Sequence, residues 1–331
     1  MNVLVIGGGG YVGSLLVQNL IEKKIKVFVL DLFIYGKPEI IFSGYHKSEF
    51  LEVIKGDIRD IDLMKNLISK VDNVIHLACI SNDPSFELNP DLGKSINYDS
   101  FYPLIKACKN KINKFIYASS SSVYGIKDEK RVTEDLSLEP LTDYSKFKAL
   151  CEDILLNESG NGNKFCSAIL RPATVCGYSQ RTRLDVIVNI LTNNGYNKRK
   201  IIINGGKQKR PNIHIQDMVN AYLNVIDQPN EVINDQIFNV GFENYTLDEI
   251  GSLVQKSLGE DIIVEHKNTD DERSYHISSD KISRILNFKP LFSIEKAIND
   301  LKEAFDKKLL KDSFNDPRYF NIKMMQKINL Q

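Results

Sequence analysis

The chain has 331 residues, 42% of them hydrophobic, with 43 basic and 43 acidic side chains and a formal net charge of zero. That length suits a sizeable core shared by two lobes, and the dispersed, balanced charge offers no basic stripe for nucleic acid and no cationic amphipathic helix for a membrane surface. No apolar run approaches the ~20 residues that cross a bilayer, and the N-terminus enters a strand with no leader ahead of it, so the expected location is cytoplasmic.

Residues 2–6 read as a buried strand that runs into Gly7-Gly8-Gly9-Gly10-Tyr11-Val12-Gly13, with an amphipathic helix behind it near 11–23. Glycines at such a junction permit a tight turn and a close approach of backbone to a dinucleotide diphosphate. The free N–H groups and dipole of the helix start attract that anion. The run fits both Gly7-x-x-Gly10-x-x-Gly13 and Gly8-x-Gly10-x-x-Gly13, so spacing leaves the subtype open. A second strand, 26–31, ends on Asp31, about 20 residues beyond the glycines, where a carboxylate hydrogen-bonds the ribose 2′-hydroxyl of NAD and repels the 2′-phosphate of NADP. Leu32, Phe33 and Ile34 include no arginine to accept that phosphate. NAD is the expected cofactor.

Further β-type runs at 50–54, 73–77, 114–119 and 165–170 alternate with helical patterns near 60–69, 94–110 and 143–158, the rhythm of a parallel sheet covered on both faces. After Arg171-Pro172 the pattern changes to helices near 184–194, 215–227, 246–258, 279–286 and 293–309, with one short strand at 236–240. The expected fold is α/β, a Rossmann-type doubly wound parallel sheet with a smaller, mostly helical substrate-binding lobe. The sheet domain takes 1–171 and 213–241, the lobe 172–212 and 242–331, and the ligand cleft lies between them at the carboxyl ends of the strands.

Five scattered cysteines without a Cys-x-x-Cys pair read as reduced thiols, and the scattered histidines argue against zinc or any other metal. Cys79 and Cys176 fall in segments expected near the ligand. The stretch from Asp316 to Lys323 is aromatic enough to pack on the lobe and has no assigned role.

Tyr144-Ser145-Lys146-Phe147-Lys148 opens the 143–158 helix, so Tyr144 and Lys148 project from one face while Lys146 points elsewhere. A phenol with an ordinary pKa of about 10 is a poor base at neutral pH. A nearby ammonium and a positive nicotinamide ring bring it towards the working range. Upstream, Lys114-Phe115-Ile116-Tyr117 runs into Ala118-Ser119-Ser120-Ser121-Ser122-Val123-Tyr124-Gly125, which puts hydroxyls at a strand's carboxyl end.

With the glycine turn, Asp31, the serine run and Tyr144/Lys148 in this order, the chain resembles the extended short-chain dehydrogenase/reductase family over nearly its whole length. The nucleotide-sugar epimerases and dehydratases are the members it resembles most. The resemblance implies that Asp57 and Ile58, in Gly56-Asp57-Ile58-Arg59-Asp60, contact the adenine, and that His76-Leu77-Ala78-Cys79 runs beneath the cofactor. It makes Asn97 a brace for the active-site backbone and Ser119 a cofactor neighbour. Ser120 becomes the catalytic hydroxyl on the substrate, Tyr144 the acid/base, and Lys148 the ligand of the nicotinamide ribose. Arg210, in Lys209-Arg210-Pro211-Asn212, resembles the arginine that binds the substrate diphosphate, and Arg273 resembles a second one. Thr174 stands where many members place a substrate-contacting asparagine, and Phe147 where a small hydroxyl residue is usual. Arg183 and Asn189, in a segment resembling a less characterised branch, are further substrate candidates, while His214 is expected to be structural.

Members of that family share a first step, in which tyrosinate takes a proton from a sugar hydroxyl as hydride passes to NAD. The dehydratases place an Asp-Glu pair after the catalytic Ser/Thr and the decarboxylating members a glutamate, whereas this chain has Ser121 and Ser122 there. The resemblance therefore implies a 4-epimerase acting on a nucleotide-diphosphate sugar. A 4-dehydrogenase that stops at the keto sugar and a silent dinucleotide sensor remain the alternatives. Dimers are common among relatives, so a homodimer is the expected assembly.

Overall fold

Twelve strands occur among the residues that the computed structural model describes, 1–160, 165–269 and 276–328. In chain order they are β1 (Asn2–Ile6), β2 (Lys26–Asp31), β3 (Leu51–Lys55), β4 (Asn73–His76), β5 (Lys114–Ala118), β6 (Cys166–Pro172), β7 (Thr174–Cys176), β8 (Lys200–Asn204), β9 (Lys209–His214), β10 (Gln236–Val240), β11 (Glu243–Thr246) and β12 (Ile263–Lys267). Seven of them form one sheet in the order β10-β6-β5-β4-β1-β2-β3, and all its pairings are parallel. The chain moves outward from β1 to β3 and then returns to β4 on the other side of β1. That reversal leaves a crevice at the carboxyl ends of β1 and β4.

Both faces of this sheet are buried, which explains the near-continuous apolar strands. Successive side chains alternate: Val3 and Val5 join one core cluster with Val27 and Val29, while Leu4 and Ile6 join the opposite one with Phe28 and Leu30. Helices Tyr11–Glu22 and Ile215–Asp227 cover the first face through Leu16, Val17, Val219 and Tyr222. Ile61–Ile68, Phe101–Cys108 and Asp143–Gly160 cover the second through Met64, Leu67, Leu104 and Leu155.

Two departures from the sequence reading shape the architecture. The helix expected near 94–110 is broken into Pro90–Lys94, a π-helical turn Ser95–Asp99 and Phe101–Cys108. Such turns widen the backbone and redirect a side chain, here Asn97. The second departure lies beyond Pro172, where the helices are joined by two small sheets, β11-β9-β7 and β12-β8, that were not expected. They share a core with Val188, Leu191, Ile250, Val254 and Ile298. As expected from its aromatics, the C-terminal stretch packs on the lobe, where Tyr319 joins Leu184, Leu301 and Phe305 in a separate cluster.

Beneath the crevice lies a buried polar network. Arg171, on β6, and Glu152 have side chains 3% and 2% exposed and meet at 2.5 Å. Arg171 Nη1 donates to the Tyr124 hydroxyl (2.7 Å), which donates to Asn239 Oδ1 on β10 (2.7 Å). Glu152 also accepts from Ser119 Oγ.

Candidate active site

A cavity of about 510 Å³ opens at the carboxyl ends of the central strands, within the usual range for ligand pockets. The glycine turn forms part of its wall. Gly7 has φ +85°, and a Cβ there would sit 2.5 Å from Ala78 N, while one at Gly13 would sit 2.4 Å from Gly7 O. Only glycine permits this close crossing of β1, β4 and the following helix. Gly10 precedes the helix Tyr11–Glu22, which has no side-chain cap and no acid in its first turn. Amides at Tyr11, Val12 and Gly13 therefore meet no competing carboxylate from their own helix, and all three residues line the cavity. The Tyr11 phenol donates to Gly177 O (2.5 Å) and ties the helix start to the lobe.

Asp31 lies on the cavity wall at the end of β2, its carboxylate accepting from Gly9 N (2.9 Å) and Phe33 N (2.7 Å). Burial raises its pKa, and those two bonds oppose the rise. Asp57 and Ile58 line the same end. Burial pushes the Asp57 carboxyl up, but bonds from the side chain and main chain of Arg59 prevail and hold it below its ordinary value. Leu77, Ala78 and Cys79 line the wall beyond β4, where Leu77 N and Ala78 N both donate to Ile6 O (2.8 and 2.9 Å). Asn97 stays behind that wall, its Oδ1 accepting from Ile80 N (2.8 Å) and its Nδ2 donating to Ile80 O (3.0 Å). It touches the cavity's backbone rather than the cavity.

Ser120 precedes a 3-10 turn, Ser121–Tyr124, and accepts from Ser122 N (3.1 Å) and Ser122 Oγ (2.8 Å). Tyr144 lies beside it on the helix Asp143–Gly160, and Thr142 and Ser145 exchange hydroxyl bonds to each other's main-chain N–H at its start. Burial pushes the Tyr144 pKa well above its ordinary value, and the charges of Cys79 and Asp83 add to this. The Arg183 cation and a hydrogen bond with Ser120 oppose it. Lys148, 3% exposed, donates to Ala118 O (2.6 Å) and lies 6.0 Å from the Tyr144 ring centroid. Ser120, Tyr144 and Lys148 thus share one wall of the cavity. Lys146 is exposed and pairs with Asp143. Phe147 packs on Tyr98 and Phe86, so its departure from the usual residue falls in the core.

On the lobe side, Thr174, Arg183 and Arg210 line the cavity. Arg183 pairs with Asp185 at 2.8 Å, and its Nη2 is buried without a partner. Asn189 does not reach the cavity. It is fully buried, accepting from Gly177 N (3.0 Å) and donating to Arg183 O (2.7 Å), so its amide braces the turn instead of meeting substrate. Cys176 is likewise withdrawn, its Sγ against Ile213 O. His214 is structural: Nδ1 accepts from Gln216 N (3.1 Å), leaving Nε2 to donate to Asp300 (2.9 Å). Arg273 lies outside the described residues.

Several cavity groups escaped the sequence reading. Arg181, Tyr35, Asp83, Asp185 and Asn321 line the wall, and Glu152 and Arg171 support Ser119 from below. They meet through tertiary contacts between distant segments, and no spacing rule signals them.

A parallel sheet in this order, with a glycine cradle at β1, an acid ending β2 and a Ser-Tyr-Lys wall, defines a dinucleotide-dependent oxidoreductase-type enzyme. The chain belongs to the NAD dependent epimerase/dehydratase family, whose model matches residues 3–241. It is 28% identical over 88% of its length to a UDP-glucose 4-epimerase of Lactobacillus helveticus, covering 92% of that protein. A dTDP-D-glucose 4,6-dehydratase of Dictyostelium discoideum is 31% identical over 77% of this chain and 62% of its own. Among solved structures, UDP-glucuronic acid 4-epimerase from Bacillus cereus, in complex with UDP-glucuronic acid and NAD, is similar over 93% of this chain and 100% of its own, at TM-score 0.83 and 26% identity.

Proposed function

We propose that the chain is an NAD-dependent nucleotide-sugar 4-epimerase, with residues 1–171 and 213–241 holding the cofactor and 172–212 and 242–331 the nucleotide sugar. In this reading Gly7, Gly10 and Gly13, with the amides of Tyr11 and Val12, cradle the cofactor diphosphate. Asp31 takes the adenosine ribose, and Asp57 and Ile58 the adenine. Leu77, Ala78, Cys79 and Ser119 line the path towards the nicotinamide, Asn97 bracing it from behind. The glycine cradle, whose missing Cβ atoms leave room for a close backbone approach, fits such a group.

Bound NAD supplies the acceptor and later the donor of a hydride. Tyr144 takes the proton of the sugar's 4-hydroxyl, whose oxygen Ser120 hydrogen-bonds, while hydride leaves C4 and a carbonyl forms. Lys148, anchored on Ala118 O, adds a positive charge that favours the phenolate, as does Arg183 from the lobe. After the 4-keto sugar turns in the cavity, Tyr144 returns the proton to oxygen as hydride reaches the other face of C4. Thr174 and Arg183 line the sugar's surroundings, and Arg210 meets its diphosphate, its guanidinium fork suiting phosphate oxygens.

The observation that carries the choice among reactions is the pair after Ser120. Ser121 is buried and the Ser122 hydroxyl is committed to Ser120, so neither supplies the carboxylate that elimination or decarboxylation uses in the family. Two relatives named as 4-epimerases support the same choice. The test is incubation of purified protein with UDP- and dTDP-hexoses, resolving products by NMR while following NADH absorbance. Interconversion at C4 without net NADH is expected. Accumulating NADH with a 4-keto product would establish a dehydrogenase, and a 6-deoxy product a dehydratase.

A further inference from the structure

The C-terminal segment reaches the cavity through Asn321, which is 2% exposed and opens the helix Asn321–Ile328. Its polar groups are divided among separate walls. The main-chain N–H donates to Asp185 Oδ2 (2.8 Å), Oδ1 accepts from Arg181 Nη2 (2.5 Å), and Nδ2 donates to Ser81 Oγ (2.8 Å). Ser81 follows β4 of the large sheet, whereas Arg181 and Asp185 follow β7. Asn321 therefore pins the two sides of the cleft together.

Arg181 is the unusual member of this set. It is 5% exposed, its guanidinium lies 3.6 Å from the centroid of the Tyr35 ring, and its Nε has no hydrogen-bond partner. Among the described residues it forms no salt bridge. The Asp185 and Asp31 carboxylates act on it only at a distance, and a buried cation that no carboxylate hydrogen-bonds is costly unless another anion meets it. Its location is bounded from three directions. Tyr35 follows Asp31 by four residues at the ribose end. Ser179, two residues before Arg181, donates from Oγ to Tyr11 O (3.1 Å) at the first residue of the helix behind the glycine turn. The cation also acts electrostatically on Tyr11, Asp31 and Tyr35. Arg181 thus stands on the cavity wall close to that helix start, the place where a diphosphate collects.

We propose that Arg181 is a side-chain ligand of the cofactor diphosphate, facing the main-chain amides of Gly10 to Gly13, and that Asn321 positions it. The C-terminal segment then acts as a latch, since Asn321 must release Ser81 or Arg181 before the dinucleotide leaves. This rests on the reading of the cavity as the NAD site and is independent of which reaction follows. A latch suits an enzyme that returns hydride to the sugar from which it came.

The test separates diphosphate from nucleoside. Ligand-observed NMR gives affinities for ADP-ribose, UDP and adenosine in wild type, Arg181→Met and Asn321→Ala, and stopped-flow fluorescence gives the rate at which excess NAD displaces bound NADH. Arg181→Met should weaken ADP-ribose at least tenfold, leave adenosine within twofold, and flatten the salt dependence of ADP-ribose binding. Asn321→Ala, which strips Arg181 and Ser81 of a side-chain partner and so lowers the melting temperature somewhat, should speed NADH release at least fivefold at a temperature where circular dichroism shows the fold retained, and it keeps the proposal testable if Arg181→Met folds poorly. Equal loss of adenosine and ADP-ribose, no loss of either, or loss confined to UDP would overturn the assignment of Arg181. An unchanged release rate in Asn321→Ala would overturn the latch. If wild type binds neither NAD nor ADP-ribose, the cofactor reading itself fails, a result distinct from all of these.

Discussion

Replacing Glu152 by alanine strands the Arg171 guanidinium in the interior. Arg171 loses bonds from Nε (3.0 and 3.2 Å) and Nη2 (2.5 Å), keeps only Tyr124 on Nη1, and has no route to water. Removing one partner of such a buried pair costs about 3–5 kcal/mol, mostly because the remaining charge is uncompensated. Unfolding entropy near 2.1 cal/mol/K per residue, applied to 331 residues, gives about 0.7 kcal/mol/K. Glu152→Ala should therefore lower the melting temperature by roughly 4–7 °C in differential scanning calorimetry. The double variant Glu152→Met/Arg171→Met removes both charges and should recover most of that loss, since apolar residues replace a buried pair at little cost. A drop below about 2 °C for the single variant, or a double variant that melts below it, would refute the account of Arg171 as a charge held by Glu152.

Burial, with the Lys148 charge adding to it, lowers the His76 pKa to about 3 from 6.5. Between those values the unfolded chain holds a proton that the native one lacks, so stability falls with acidification by up to about 1.4 kcal/mol per pH unit. Urea melts of His76→Phe at a series of pH values should show a shallower acid loss between pH 6.5 and 3 than wild type, and parallel curves would disprove the assignment. Gly13→Ala places a methyl against the backbone of Gly7 and Gly8. The purified protein should then carry at least tenfold less NAD while far-UV circular dichroism is retained, and full NAD content would mean the turn has slack. Tyr144→Phe should lower turnover by at least about 10²-fold, the scale of acid–base catalysis, with bound NAD unchanged. Loss of the cofactor in that variant would make Tyr144 structural. Asp31→Ala should erode the preference for NAD over NADP, as read from competitive displacement of each.

The parts of this molecule that were legible in its sequence are those encoded locally. The apolar runs from Asn2 to Ile6 and from Lys26 to Asp31 are strands because both sheet faces are buried, and that burial leaves an unbroken hydrophobic signal. Gly13 is demanded by a backbone crossing within the turn itself, against Gly7 and Gly8, although Gly7 answers to the distant Ala78, and Tyr144 and Lys148 share a face by helical period alone. What was not legible depends on long-range partners. β7 is three residues long, and β8 pairs with β12 from more than sixty positions away. Neither carries enough period to be read by itself. Asn189 was a substrate candidate through the resemblance of its segment to a branch of the family, yet its hydrogen bonds are taken by Gly177 and Arg183. Glu152 meets Arg171, and Arg181 meets Asn321, across gaps that no sequence rule spans.

One of the two edge strands of the large sheet, β10, pairs with β6 although more than sixty residues separate them. During synthesis β6 emerges long before its neighbour, and its outer row of amide and carbonyl groups stays open until position 240 has cleared the ribosome. At 5–20 residues per second that interval is roughly 3–14 s. An unprotected parallel edge is a template for intermolecular pairing. A fragment ending near Pro172 should consequently be prone to aggregate, and a slowed ribosome within the intervening stretch should lower the yield of native protein without altering any residue of the finished chain.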